Sequence, residues 1–254
     1  MHLTLAFDDN LGYPDGLIEG IEQLALGTAG QPVTCSTLSF HELDEMIESF
    51  TRGDAQLMFL PCGCFPYVAT PLKVVAQATT GLDRVTTLTS VLLANSKLKI
   101  ESVPSVSGLR FGCINKFCTT SYWAPQFLER ENNASTDALR HPVWVGGFDD
   151  LVVSLLDGRS DAAMVWEPYL AKHASESAAF DELGRLADLP APVLVADPSL
   201  GGALLEAVGS LAPLVGCDDA LFNGLAPPNV DAIEAFLADV ETVQPELAAA
   251  KPIW

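Results

Sequence analysis

An apolar, strand-like run, Leu109–Ile114, opens into a polar turn, Asn115–Thr120, and Tyr122, Trp123, Phe127 and Leu128 then recur at helical spacing. The junction carries one thiol and three hydroxyls in succession: Cys118, Thr119, Thr120 and Ser121. The first backbone N–H groups of a helix have no partner within it, and the helix dipole favours negative charge there. Short hydroxyls add donors without bulk. This is chemistry for holding a small oxyanion rather than for hydrolysing one. An ordinary helix cap uses the same residue types, so the position of the turn in the fold has to decide between them. Lys116 is the one cation within the turn.

Other groups stand where strands are expected to end. Cys62-Gly63-Cys64 follows the apolar run Leu57–Leu60. Together with Cys118 these thiols form an alternative trap for a soft ion such as arsenite or Cu(I), because thiolates select soft centres; as packed apolar side chains they need no such role. Asp9, beside Asp8, Asn10 and Tyr13, follows the first strand and is a candidate acceptor for a protonated ligand or an amine. Trp166 and Glu167 end another apolar run, and Trp166 is expected to be partly exposed there. Trp123, Tyr67 and Phe65 are candidate walls. The four histidines, at 2, 41, 141 and 173, form no pattern. No nucleophile elbow, phosphate-binding loop, zinc-protease helix or dinucleotide fingerprint occurs, which points away from an enzyme. No cofactor is expected.

The elements that must position these groups alternate between strand and helix. Strands are predicted at Leu3–Phe7, Val33–Thr37 and Leu57–Leu60. The helices between them carry Leu17, Ile21 and Leu24 on one face, and then Phe40, Leu43, Met46, Ile47 and Phe50. A crossing strand, Val85–Asn95, leads to a second series: Leu109–Ile114, a helix from Thr120, Val143–Val145, a helix from Phe148, and Ala162–Val165. Pro190–Ala196 reads as a returning strand, and a last helix runs from Val230 to about Leu247. LDEMIESFTRGDAQLMFLP, from Leu43, echoes FDDLVVSLLDGRSDAAMVWEP, from Phe148: acidic helix start, apolar stripe, glycine turn (Gly53, Gly158), Asp-Ala pair, buried strand. The pattern predicts an α/β protein of two doubly wound lobes, residues 1–80 plus 191–254 and residues 81–190. Ligands of such sheets bind at the carboxyl ends of the strands, and the two lobes are expected to form a cleft with those ends.

Composition narrows the partners. The chain has 254 residues, 49% hydrophobic and 18% charged, with a formal charge of −20 and no basic stripe. Nucleic acid is a poor partner for it. No apolar run approaches the ~20 residues of a membrane span. Surface charge is screened beyond about 8 Å at physiological salt, so donors touching the ligand decide anion binding. Six cysteines in a chain this long are too few for a disulfide scaffold. Asn133-Ala134-Ser135 matches a glycosylation sequon. If Met1 is the native start, the sequence predicts a cytoplasmic protein; if an export signal has been removed, a periplasmic one.

INKFCTTSYWAP resembles the Asp-Pro-x-Ser-Thr-Ser-Gly-Tyr-x-x-Pro segment of the phosphate/phosphite/phosphonate-binding proteins, substrate-binding components of ABC importers. The flanking stretches around Leu43–Pro61 and from Gly146 to Ala163 follow in the family's order. The resemblance implies a two-lobed type II periplasmic-binding fold and a solute-binding protein that closes on phosphate, phosphite or a phosphonate, for import with a permease or for sensing with a kinase. It aligns Cys118 with the family's first Ser, Thr119 with its Thr, Thr120 with its second Ser, Ser121 with its Gly and Tyr122 with its Tyr. Thr119, Thr120 and the N–H groups of Thr120 and Ser121 would then hold the ligand's oxygens. Phe148 and Asp149 stand where members often have His followed by Glu or Asp. An enzyme on the same architecture, such as a menaquinone-pathway-like lyase, is a further alternative, and turnover of the ligand discriminates it.

Overall fold

The computed structural model describes residues 1–13, 16–28, 32–106, 108–134, 139, 142–209, 221–247, 252 and 254. His141, Cys217 and Ser135 of the sequon lie outside the described residues. By contact, the chain divides into two units: Met1–Thr87 with Pro190–Leu237 and Glu246–Trp254, and Leu88–Leu189 with Ala238–Pro245.

The first unit begins β1 (His2–Asp8), α1 (Leu17–Thr28), β2 (Thr34–Phe40), α2 (Leu43–Arg52), β3 (Leu57–Leu60) and β4 (Lys73–Thr79). β1 pairs in parallel with both β2 and β3. β3 reads as a continuous apolar run because it is wholly buried, all four residues being at 0% exposure. α2 forms because Leu43, Met46, Ile47 and Phe50 recur on one face, and all four are buried. It ends at Gly53, which takes the left-handed conformation (φ 80°) while its N–H and that of Asp54 close onto Phe50 and Ser49.

The second unit holds β5 (Thr87–Asn95), β6 (Phe111–Cys113), α3 (Ala124–Glu131), β7 (Val143–Trp144), α4 (Phe148–Leu156), β8 (Ala162–Trp166), α5 (Glu167–Lys172) and β9 (Phe180–Pro190). Its sheet runs β7-β6-β8-β5-β9. β6 pairs in parallel with β7 and β8, whereas β5 is antiparallel to β8. The echo seen in the sequence has a structural counterpart: Gly158 (φ 76°) repeats the left-handed turn of Gly53, and Ala55, just before β3, and Ala162, the first residue of β8, are both fully buried.

The chain returns through β10 (Val193–Ala196), α6 (Gly202–Gly209), β11 (Gly224–Ala226) and α7 (Val230–Val243). This completes the first sheet, β11-β4-β10-β3-β1-β2, with β10 antiparallel to β3 and β4. Both sheets mix parallel and antiparallel pairs, and the class is the α/β one that the sequence pattern predicts.

Three strands do not feature in the sequence expectations. β9, FDELGRLADLP, is polar and carries a glycine; as an edge strand, largely half-exposed, it needs no apolar pattern. β11 is a short edge strand, and β4 lies in the interior of the first sheet. The last stretch of the chain also departs from the expected grouping. Residues 238–245 join the second unit, where Asp239 pairs with Arg130 and Gln244 with Gln126.

Candidate functional site

In the second unit the carboxyl ends of the parallel strands β6, β7 and β8 lie along one edge of the sheet. The chain leaves them as the turn Ile114–Cys118, as Gly146-Gly147 before α4, and as Trp166-Glu167. Of the candidates, Cys118, Thr119, Thr120, Ser121, Tyr122, Asp149, Trp166 and Glu167 gather at this edge. Asp9, Cys62 and Cys64 belong to the first unit, at the carboxyl ends of β1 and β3.

The hydroxyl-rich segment does not start an ordinary α-helix. Trp123 N–H bonds to the Cys118 carbonyl at 3.2 Å, five residues back, and the N–H of Ala124 reaches Thr119, also five back. Residues 119–123 thus form one widened turn before α3, and single widened turns of this kind recur at functional sites. Pro125 explains how the turn must be held. Without an N–H, it cannot serve the Thr120 carbonyl in the widened register or the Ser121 carbonyl in the ordinary one. Side chains supply the missing donors. The Ser90 hydroxyl, from β5, donates to the Thr120 carbonyl at 3.0 Å. The Cys113 thiol, at the end of β6, donates to the Ser121 carbonyl at 3.3 Å. Burial, and secondarily Cys118, pushes the Cys113 thiol well up and keeps it protonated, as a donor must be.

Two of the expected ligand groups are therefore engaged within the turn. The Ser121 N–H points at the Cys118 sulfur at 3.4 Å, and its hydroxyl accepts from the Ile114 N–H at 3.1 Å. Cys118, half-exposed, caps the turn through its sulfur and lies 3.4 Å from the Thr120 hydroxyl. Thr119 and Thr120 are buried at the start of the widened turn. The Tyr122 ring stacks on Trp144, whose centroid is 6.1 Å away, and packs edge-on to Trp123. Lys116 sits with its ammonium 4.7 Å from the Phe117 ring.

Trp166 corrects an expectation. It is 2% exposed rather than partly exposed, because β8 lies in the interior of the sheet between β6 and β5, and Phe148 and Tyr169 pack on the indole at about 6 Å. Phe148 stacks on Tyr169 at 4.6 Å, so the position where members of the resembling family often have His is built into an aromatic cluster. The carboxylates at this edge have partners: Asp149 reaches His173 at 3.2 Å, and Glu167 reaches Arg185 at 2.9 Å.

In the first unit Asp9 pairs with His41 at 3.1 Å. Its neighbour Asp8 is buried and accepts from the N–H and side-chain amide of Asn10; burial holds its carboxyl above the usual range despite those bonds. Cys62 and Cys64 are fully buried, and the Cys62 thiol donates to the Ala191 carbonyl at 3.4 Å. Desolvation pushes that thiol well up, away from the thiolate a soft metal needs. Among the described residues no three Cys, His, Asp or Glu side chains gather where a metal ion could be held. Within the first unit, the buried and protonated Cys62 thiol does not favour the soft-ion alternative. Among the described residues no helix is long and apolar enough to cross a membrane.

Ser90, Cys113, Gln126 and Trp144 complete the edge and were not singled out for these roles by sequence reasoning. Pro125 was the available signal, because a proline two residues into a helix leaves carbonyls that something else must satisfy.

With this geometry in place, known proteins offer a comparison. The family model of the ABC-transporter periplasmic substrate-binding proteins for phosphonate matches residues 28–211. Comparison with the curated proteins gives no match. Among solved structures, the chain is similar to a Xanthomonas citri protein bound to chloride, at 12% identity and a TM-score of 0.78, covering 96% of this chain and 99% of that one. It is similar to PhnD1 from Prochlorococcus marinus in complex with methylphosphonate, at 10% identity and a TM-score of 0.71, covering 95% and 98%. A Pseudomonas aeruginosa binding component of an ABC phosphonate transporter has a TM-score of 0.66 at 13% identity, covering 97% and 95%.

Proposed function

This chain belongs to the family of periplasmic substrate-binding proteins of phosphonate ABC transporters, and on that premise we propose that it holds a small phosphate-like oxyanion (phosphate, phosphite or a phosphonate) at the widened turn Cys118–Trp123 and delivers it to a membrane permease. The observation that carries this reading is the turn itself. It stands at the carboxyl end of a parallel strand, within the matched residues, and opens a helix with Thr119 and Thr120. The helix start supplies N–H groups and the positive end of the dipole, and the two threonines supply short hydroxyl donors. The fold shared with a protein solved in complex with methylphosphonate supports the same ligand class.

Affinity of the size expected for such a protein needs no cation. A micromolar ligand corresponds to about −8 kcal/mol, and hydrogen bonds to a charged group contribute roughly 1.5–3 kcal/mol each. Four or five donors suffice. In this reading Cys118 and Ser121 hold the turn and Thr119 and Thr120 meet the ligand, so within the turn the departures from the resembling family's pattern fall on the supporting positions. The protein acts by binding, and its ligand leaves unaltered.

Isothermal titration with phosphate, phosphite, methylphosphonate and arsenate tests the assignment. Saturable one-to-one binding of at least one of them is expected, and the absence of heat with all four refutes it. Recovery of chemically altered ligand would refute the non-enzymatic reading instead.

A further inference from the structure

The widened turn is tied to a part of the chain far away in sequence. The Gln244 side-chain amide donates to the Tyr122 hydroxyl at 3.2 Å and to the Gln126 Oε1 at 2.8 Å, so both of its amide hydrogens are used. Gln126 in turn donates through Nε2 to the Tyr122 backbone carbonyl at 3.0 Å. Gln126 is 6% exposed, so water competes little for its amide. All three residues belong to the second unit, although Gln244 lies 122 residues from Tyr122 in sequence.

The polarity of this small network matters more than its number of bonds. A glutamine amide presents an oxygen at one end and an NH2 group at the other, and its neighbours decide which end points where. With Gln244 donating to Oε1, Gln126 turns its Nε2 toward the Tyr122 carbonyl. Without Gln244, Oε1 loses its partner and the Gln126 amide is no longer held from both ends against the Tyr122 carbonyl. The Tyr122–Trp123 peptide has its carbonyl on Gln126, while its N–H is the one that bonds to the Cys118 carbonyl across the widened turn. Holding one end of a planar peptide orients the other. Gln244 thus acts on the widened register through Gln126. The Arg130–Asp239 pair, at 2.5 Å, anchors the same tail segment one helical turn further along α3.

We infer that Gln244 is a positioning residue for the oxyanion turn: by fixing the orientation of the Gln126 amide it keeps the Tyr122–Trp123 peptide in the widened register that presents Thr119 and Thr120. The inference rests on the assignment of the turn as the ligand site, but its structural half can be measured without any ligand.

The test uses the full chain with Gln244→Leu, which removes both donated bonds, and Gln244→Glu, which keeps the size, can only accept from the tyrosine hydroxyl instead of donating to it, and sets a carboxylate against Gln126 Oε1. Thr242→Val is the control. Thr242 is exposed on the same helix end, and its hydroxyl donates to the local Ala238 carbonyl. Two quantities are measured: amide hydrogen exchange of Tyr122, Trp123 and Ala124, and the Kd for methylphosphonate. In both Gln244 variants, exchange at Trp123 and Ala124 is expected to accelerate and methylphosphonate binding to weaken about three- to tenfold. Thr242→Val should stay within about twofold of the parent protein in both. Parental exchange rates in both Gln244 variants overturn the inference, as does a Kd within about twofold of the parent. If the parent protein binds none of the four anions, the functional assignment fails by itself, and the exchange data still decide the role of Gln244.

Discussion

Replacing Ser90 with alanine removes the hydroxyl that donates to the Thr120 carbonyl at 3.0 Å. Ser90 is at 0% exposure and Thr120 at 2%, so water cannot take over the bond without opening the sheet. Pro125 cannot take it over either, because it has no N–H. A buried acceptor left without its donor costs about 1–3 kcal/mol, against about 0.5–1.5 kcal/mol for a typical hydrogen bond whose partners both remain satisfied. The void left by one oxygen adds little to this. Ser90→Ala should therefore destabilise the second unit by about 1–3 kcal/mol. Urea unfolding followed by tryptophan fluorescence reads this unit, because Trp123, Trp144 and Trp166 all lie in it and only Trp254 lies in the other. Amide exchange at Trp123 and Ala124 should accelerate in parallel, since these N–H groups close the widened turn. Ser90→Cys retains a weak donor and should recover part of the loss. A destabilisation below about 0.5 kcal/mol with unchanged exchange, within the range of an ordinary surface substitution, would refute the claim that side chains replace the donors Pro125 lacks.

Other expectations concern the ligand, packing and acid. Thr120→Val keeps shape and removes a hydroxyl; calorimetry should show methylphosphonate binding weakened by about 10- to 100-fold, the worth of one bond to a charged group. Gly112→Ala places a Cβ 2.8 Å from the Ser160 hydroxyl and 2.9 Å from a Leu151 methyl, and overpacking of this kind should cost about 1–3 kcal/mol in urea unfolding. Asp161 is held below its ordinary value of 3.8 chiefly by the Arg110 hydrogen bonds. A depressed folded-state pKa gives stability that is present above the unfolded value and lost as pH falls through the folded one. The urea midpoints of the parent protein and Asp161→Asn should therefore differ near neutral pH and converge below 3.8.

How much of this was legible in the chain differs from feature to feature. β3 and, from Leu43 onward, the α2 stripe could be read directly, because burial and helical period leave a mark on neighbouring residues, whereas Phe40, expected on that stripe, ends β2. β9 could not, because an edge strand satisfies half its backbone groups with solvent and tolerates Asp181, Glu182, Gly184 and Arg185. Trp166 was placed correctly at a strand end, but its burial was missed: whether a strand is central depends on which strands flank it, and nothing in AAMVW records that. The segment Cys118–Tyr122 was recognisable from its hydroxyls and its resemblance to a known family, yet the roles within it were not. Cys118 and Ser121 look like ligand groups by type, and in the fold they bond to each other and to Ile114.

By itself, then, the sequence determined the alternation of strands and helices, the hydroxyl-bearing helix start after β6 and the missing donor at Pro125, because each of these is a property of residues close together in the chain. Only the tertiary structure decided which groups answer that missing donor. Ser90 answers it from 30 residues away, and Gln244, which holds Tyr122 and Gln126 rather than the carbonyls left by Pro125, comes from 122 residues away. A hydrogen bond requires an approach of about 3 Å, and only the packing of sheet and tail brings such distant residues that close.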